Sequence, residues 1–144
     1  MRKTLLSIVL VLTIGCSPDS IVNPIDFPAG GKLEFTLNEG EEVTLMPDRF
    51  SITFVSPVEE GRCPTGVVCF WPGEARFILR VSHSGQANEE IRLVMPGLVQ
   101  TPYANKPVTH GNYSIVLRQL DPYPVHGEKI KRGTYSALFR VERL

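Results

Sequence analysis

The chain has 144 residues, 42% of them hydrophobic, with 15 basic and 15 acidic side chains, 12 Gly, 12 Pro and 3 Cys. That length supports one hydrophobic core and would leave two full-sized domains cramped. Balanced charge supplies neither a basic surface to neutralise a nucleic-acid backbone nor an acidic tail, so no nucleic-acid partner is expected, and the spread of Gly and Pro disfavours long helices.

Arg2 and Lys3 precede an almost wholly apolar stretch from Leu5 to Ile14. Ten residues are about half of the roughly 20 needed to span a bilayer, so the pattern predicts a cleaved, helical export signal over residues 1–15. Leu12-Thr13-Ile14-Gly15-Cys16 resembles the lipobox of bacterial lipoproteins, in which the cysteine is acylated and becomes the first mature residue. The resemblance makes Cys16 the lipid-attachment residue and the membrane the first partner. Loss of residues 1–15 would leave 129 residues carrying 13 basic and 15 acidic groups, a net charge of −2. Two or more acyl chains make such attachment stable. The expected location is the bacterial cell envelope. Ser17, which is not the Asp that retains enteric lipoproteins at the inner membrane, favours the outer membrane where a cell has two.

Residues 16–31 hold Pro18, Pro24, Pro28 and Gly30-Gly31 and read as a flexible tether before a domain at 32–144. Ile21, Val22, Ile25 and Phe27 offer the alternative of a first edge strand. Beyond the tether the period becomes two. Leu33, Phe35 and Leu37 alternate with polar residues, and Asn38-Glu39-Gly40 reads as a hairpin turn into Val43 and Leu45. Phe50, Ile52 and Phe54 form the next strand, which Pro57 should stop. Ala75, Phe77, Leu79 and Val81 face one way and pair, through a turn at residues 84–88, with Ile91 and Leu93. A long connection from Pro96 to Asn112 precedes Tyr113, Ile115 and Leu117, and Tyr135, Ala137, Phe139 and Val141 close the chain. About seven strands without a helix predict an all-β fold, an antiparallel β-sandwich of immunoglobulin-like type, with a small β-barrel as the alternative.

With Cys16 taken by lipid, Cys63 and Cys69 remain as a pair in an oxidising compartment, and a disulfide is the simplest outcome. A zinc or copper site competes, but the second ligand pair such sites use is missing and His83, His110 and His126 are scattered. No metal or cofactor is expected. Pro64 and Gly66 permit a tight reversal inside the ring, and Pro72-Gly73 a second turn. Trp71, the sole Trp, has the area either to plug one end of the sandwich or to hold a partner; the plug is the simpler expectation. Arg62, Phe70 and Trp71 are of the types enriched at binding hot spots and are the candidate partner-binding residues.

Arg62-Cys63-Pro64 followed by Cys69-x-Trp71-x-Gly73-x-Ala75 resembles the signature of an uncharacterised family of small bacterial secreted lipoproteins. Leu117-x-x-Leu120-x-Pro122-x-Pro124 and Tyr135-x-Ala137-x-Phe139-x-Val141 extend the likeness over most of the domain. It implies a surface-tethered all-β domain and brings no activity. The leading functional expectation is a binding module that presents loops at one end of the sandwich to an envelope protein, a peptide or a glycan. A protease inhibitor is the second, resting on an exposed Arg62 beside a rigid loop. An enzyme is the least favoured: no nucleophile elbow, phosphate loop or zinc-protease motif is present, leaving only Glu59, Glu60 and Glu74 for a two-carboxylate hydrolase. Asp121-Pro122-Tyr123-Pro124 reads as a turn that ends a strand, with no evident link to the cysteine loop.

Overall fold

A computed structural model describes residues 23–29, 31–84, 86–97 and 106–144. The stretch read as an export signal, Cys16 and the first part of the stretch read as a tether lie outside them. Nine strands are described: β1 (Asn23–Asp26), β2 (Lys32–Asn38), β3 (Glu42–Met46), β4 (Phe50–Glu60), β5 (Glu74–Ser82), β6 (Glu89–Pro96), β7 (Val108–His110), β8 (Tyr113–Asp121) and β9 (Ser136–Arg143). They form two sheets, β1-β3-β4-β5-β6 and β2-β9-β8-β7. Neither closes on itself, so the fold is the expected sandwich and the barrel is excluded.

Period-two patterning builds each inner face. Ile52 and Phe54 of β4, Ala75, Phe77, Leu79 and Val81 of β5, and Ala137, Phe139 and Val141 of β9 are all buried between the sheets. Phe54 and Phe77 meet at 4.7 Å between ring centroids, and the edge of Phe139 reaches both at 6.4 Å. A fully buried aromatic contributes on the order of 2–3 kcal/mol through its area alone, so this trio is a large part of what holds the two sheets together.

Three local expectations are corrected. β1 occupies part of the stretch read as tether: it pairs in parallel with β3, Phe27 N–H donates to Met46 O at 3.1 Å, and the Phe27 ring packs edge-on against Tyr113. Ile25 and Phe27 thus gain apolar cover that a solvated tether would deny them. Second, β2 and β3 are not a hairpin. β2 pairs with β9 and β3 with β4, and the turn hands the chain between sheets: Glu39 N–H bonds Tyr135 O, Gly40 N–H bonds Phe54 O. Third, β4 runs past Pro57 to Glu60. The register with β5 shifts between Val55 and Glu59, which sets the proline in an irregularity where its missing N–H costs no ladder bond. The β5–β6 hairpin is as expected.

The order of strands positions the cysteine loop. β4 and β5 are antiparallel neighbours, with Glu60 opposite Ala75, so residues 61–73 project from one end of the sandwich. β8 and β9 meet at the same end, Asp121 opposite Ser136, and their connection, residues 122–135, lies beside the loop.

Candidate functional site

The loop between β4 and β5 has a locked base and an uncovered tip. Arg62, expected at the surface, is buried with 4% of its area exposed, the one charged residue so placed among those described. Its Nε donates to Glu60 Oε1 and Oε2 at 2.9 and 3.1 Å, and Nη2 also pairs with that carboxylate. Nη1 donates to Leu120 O at 2.8 Å and Nη2 to Pro122 O at 2.9 Å. The guanidinium lies 4.7 Å from the centroid of the Tyr123 ring. A planar fork with five donors can satisfy a carboxylate and two carbonyls together, which a lysine cannot, and that capacity explains why arginine fits here without solvent.

Glu60 is the counter-charge. It also accepts from Arg62 N–H at 2.9 Å and from Tyr135 Oη at 3.1 Å. Burial alone would raise its pKa, but the hydrogen bonds and charge of Arg62, with that of Tyr135, outweigh burial and hold the carboxyl below its ordinary range. Burial, then the neighbouring Glu60 charge, pushes the Tyr135 phenol up to about 12.

This network joins two motifs that the sequence leaves unconnected. Tyr123 Oη donates to Cys63 O at 3.0 Å, Thr65 N–H to Pro124 O at 2.9 Å, and His126 N–H to Thr65 O at 3.0 Å. Thr65 and Val125 form an isolated parallel bridge. The Asp121-Pro122-Tyr123-Pro124 turn is therefore one wall of the cysteine loop. The other wall is backbone on backbone: Cys63 N–H bonds Pro72 O at 2.8 Å and Gly97 N–H bonds Gly73 O at 2.9 Å. Gly73 has φ +66°, and a Cβ there would lie 1.9 Å from Gly61 O, so no side chain fits.

Cys63 and Cys69 sit at disulfide distance, with Cα atoms 6.0 Å apart, and close the tip above this base. Beyond the staple the side chains point away from the protein. Val68 and Phe70 are as accessible as in an extended chain, at 102% and 105%, and Trp71 is 67% exposed. Val67 and, across the bridge from Thr65, Val125 are also exposed. Trp71 is thus not a plug. The interior place at this end is filled by Arg62, whose guanidinium spans from β4 to the end of β8. Of the three candidate partner-binding residues, the structure places Phe70 and Trp71 together on the tip and Arg62 beneath it. Burial of Arg62 removes the exposed basic side chain on which the inhibitor reading rests.

The carboxylates flanking the loop do not converge. Glu60 is committed to Arg62, Glu74 pairs with Arg76, and Glu59 is exposed opposite Arg76 in the ladder. His83 and His110 stack on each other and on Phe50 at the far end of the sandwich, whereas His126 lies beside Gly66. Among the described residues no three His, Cys, Asp or Glu side chains come together as metal ligands. Comparisons with known protein families, with characterised proteins and with solved structures return no match, so the reading of the site rests on its own geometry.

Proposed function

We propose that the protein is a lipid-anchored binding module of the bacterial cell envelope, held at the membrane through Cys16, whose contact surface is the stapled tip carrying Val67, Val68, Phe70 and Trp71. One observation carries the reading: among the described residues both exposed large aromatic side chains, Phe70 and Trp71, share with the fully exposed Val68 one loop whose base is locked by a buried ion pair, a glycine contact and a disulfide. Leaving two aromatics and two valines in water forgoes on the order of 1.5–3 kcal/mol for each that could have been buried. A rigid base removes most of the ordering cost that a mobile loop incurs on contact, and aromatic residues in such settings are the usual carriers of binding energy.

The test is a photo-crosslinking residue in place of Phe70, introduced into the full-length protein in a bacterial host. The expected result is an adduct, to protein or to lipid, that is lost when Trp71→Ala and Val68→Ser are added. A tip that crosslinks only to water in intact cells would sink the reading.

A further inference from the structure

Resting on the anchored-module reading above, we infer that the tip's occupant is the lipid bilayer: Val68 and Phe70 enter the acyl region of the membrane that holds the Cys16 anchor, with Trp71 at the headgroup level.

Four observations support this occupant over a protein pocket or a glycan. Residues 63–73 contain no charged side chain. Thr65 and the Trp71 indole N–H are the only strong side-chain hydrogen-bonding groups there, too few to read a sugar, while the absence of charge is what insertion demands. The exposure is graded, with Phe70 and Val68 fully accessible and Trp71 at 67%. Aliphatic and phenyl groups outermost with an indole behind them is the order in which these groups distribute with depth in a bilayer.

The third observation is the surrounding charge. The connection at residues 122–135, at the same end of the sandwich, exposes Lys129, Lys131 and Arg132 against Glu128, cations suited to anionic headgroups flanking an inserted tip. The fourth is reach. β1 runs parallel to β3, and β3 antiparallel to β4, so the chain enters β1 from the side of the cysteine loop. Seven residue steps separate Cys16 from Asn23, a span of at most about 24 Å. Asn23 lies level with Ile52 through Val43, and the eight steps from Ile52 to Glu60 cover roughly 26 Å of strand. The leash therefore reaches at most about the level of Glu60, and because the tip projects beyond that level the anchor and the tip meet one membrane when the tip inserts and the sandwich leans toward its β1 edge. A short leash also keeps the tip at high effective concentration near the bilayer, so four apolar side chains suffice where they would not recruit a free protein.

The single Trp makes the test specific, because all indole emission comes from the tip. The full-length product, as processed by a bacterial host, is purified and reconstituted in phosphatidylethanolamine–phosphatidylglycerol vesicles whose acyl chains carry bromine. The expected result is blue-shifted Trp71 emission that shallow bromines quench. Val68→Asp with Phe70→Asp should retain the circular dichroism of the wild type while quenching falls at least about tenfold. Emission typical of water with no quenching overturns the inference. So does emission that is already blue without vesicles and unquenched with them, which would mean that residues 98–105 or a second copy covers the tip. An unacylated Cys16 also overturns it, since the anchored bilayer is the stated occupant. If quenching is absent while a crosslinker at position 70 captures a protein, the bilayer fails and the binding-module reading stands. If both signals are absent, both fail.

Discussion

The base and the tip of the cysteine loop are separated by a few residues and obey opposite rules. At the base each guanidinium nitrogen of Arg62 finds an acceptor, a tyrosine covers it, and the glycine at position 73 admits no side chain. At the tip, Val68 and Phe70 touch almost nothing of their own chain. A buried charge tolerates no loss of a partner, whereas an exposed side chain can be exchanged at little cost to folding. The contrast divides the loop into residues that determine whether it has a shape and residues that determine what the shape is for.

The sharpest way to break the base is Gly73→Ala. The new Cβ would sit 1.9 Å from Gly61 O on a backbone with φ +66°, so a loss of about 4–5 kcal/mol or more is expected in urea unfolding. Arg62→Ala comes next. It strands the Glu60 carboxylate together with the carbonyls of Leu120 and Pro122, and should cost about 3–5 kcal/mol. Arg62→Lys should recover only part of this, because one ammonium cannot hold the carboxylate in a bidentate grip and reach both carbonyls.

Smaller effects follow for the staple and for pH. Cys63→Ser with Cys69→Ser opens a short ring and should lower stability by about 2 kcal/mol, leaving the sheets intact by circular dichroism. Glu60 has a folded pKa below its unfolded one, so its contribution is complete at neutral pH and is lost as pH falls through and below the carboxylate range. Tyr135 and Tyr113, both raised to about 12, act in the other direction: their contribution is complete below pH 10 and disappears between 10 and 12. Glu60→Gln should make the acid limb of a plot of stability against pH shallower and shrink the alkaline fall by the part that the Glu60 charge adds at Tyr135, leaving the parts due to burial of Tyr135 and to Tyr113. The smallest effect belongs to the tip. Phe70→Ser and Trp71→Ala should each shift stability by less than about 0.5 kcal/mol, and an equal loss at tip and base would erase the distinction.

Much of the sandwich could be read from alternation alone, since the inward positions follow period two throughout β5 and β9 and, up to their register shifts after Val55 and Leu117, in β4 and β8. Connectivity could not. Asn38-Glu39-Gly40 carries turn chemistry suited to a hairpin, but the same residues serve equally to carry a chain from one sheet to the other, and the choice depends on Tyr135 and Phe54 far along the sequence. β1 was obscured by three prolines and a pair of glycines in the stretch around it, and the apolar Ile25 and Phe27, which offered a first edge strand as the alternative, were the signal for it. At the site, the composition of the tip offered Phe70 and Trp71 as contact residues, but the large apolar area of Trp71 argued first for a plug, because a sequence does not show that Arg62 already fills that interior place. Arg62 was misplaced because charge argues for solvent unless a specific set of acceptors is known, and two of them come from a turn about 60 residues away. Glu60 and Tyr135 had no sequence signal as partners beyond their position beside the loop and at the head of the last strand.

The parallel pairing of β1 with β3 carries one further consequence. An outermost strand with bare N–H and C=O groups is a template for the same strand in another molecule, and β3, with Val43 and Leu45 on its inner face, would be such a template if uncovered. Four residues, Asn23–Asp26, from the stretch that precedes the rest of the domain cover that edge. β1 therefore also serves as a guard against self-association, and a recombinant domain begun at Lys32 for convenience is expected to lose that guard and to aggregate through β3.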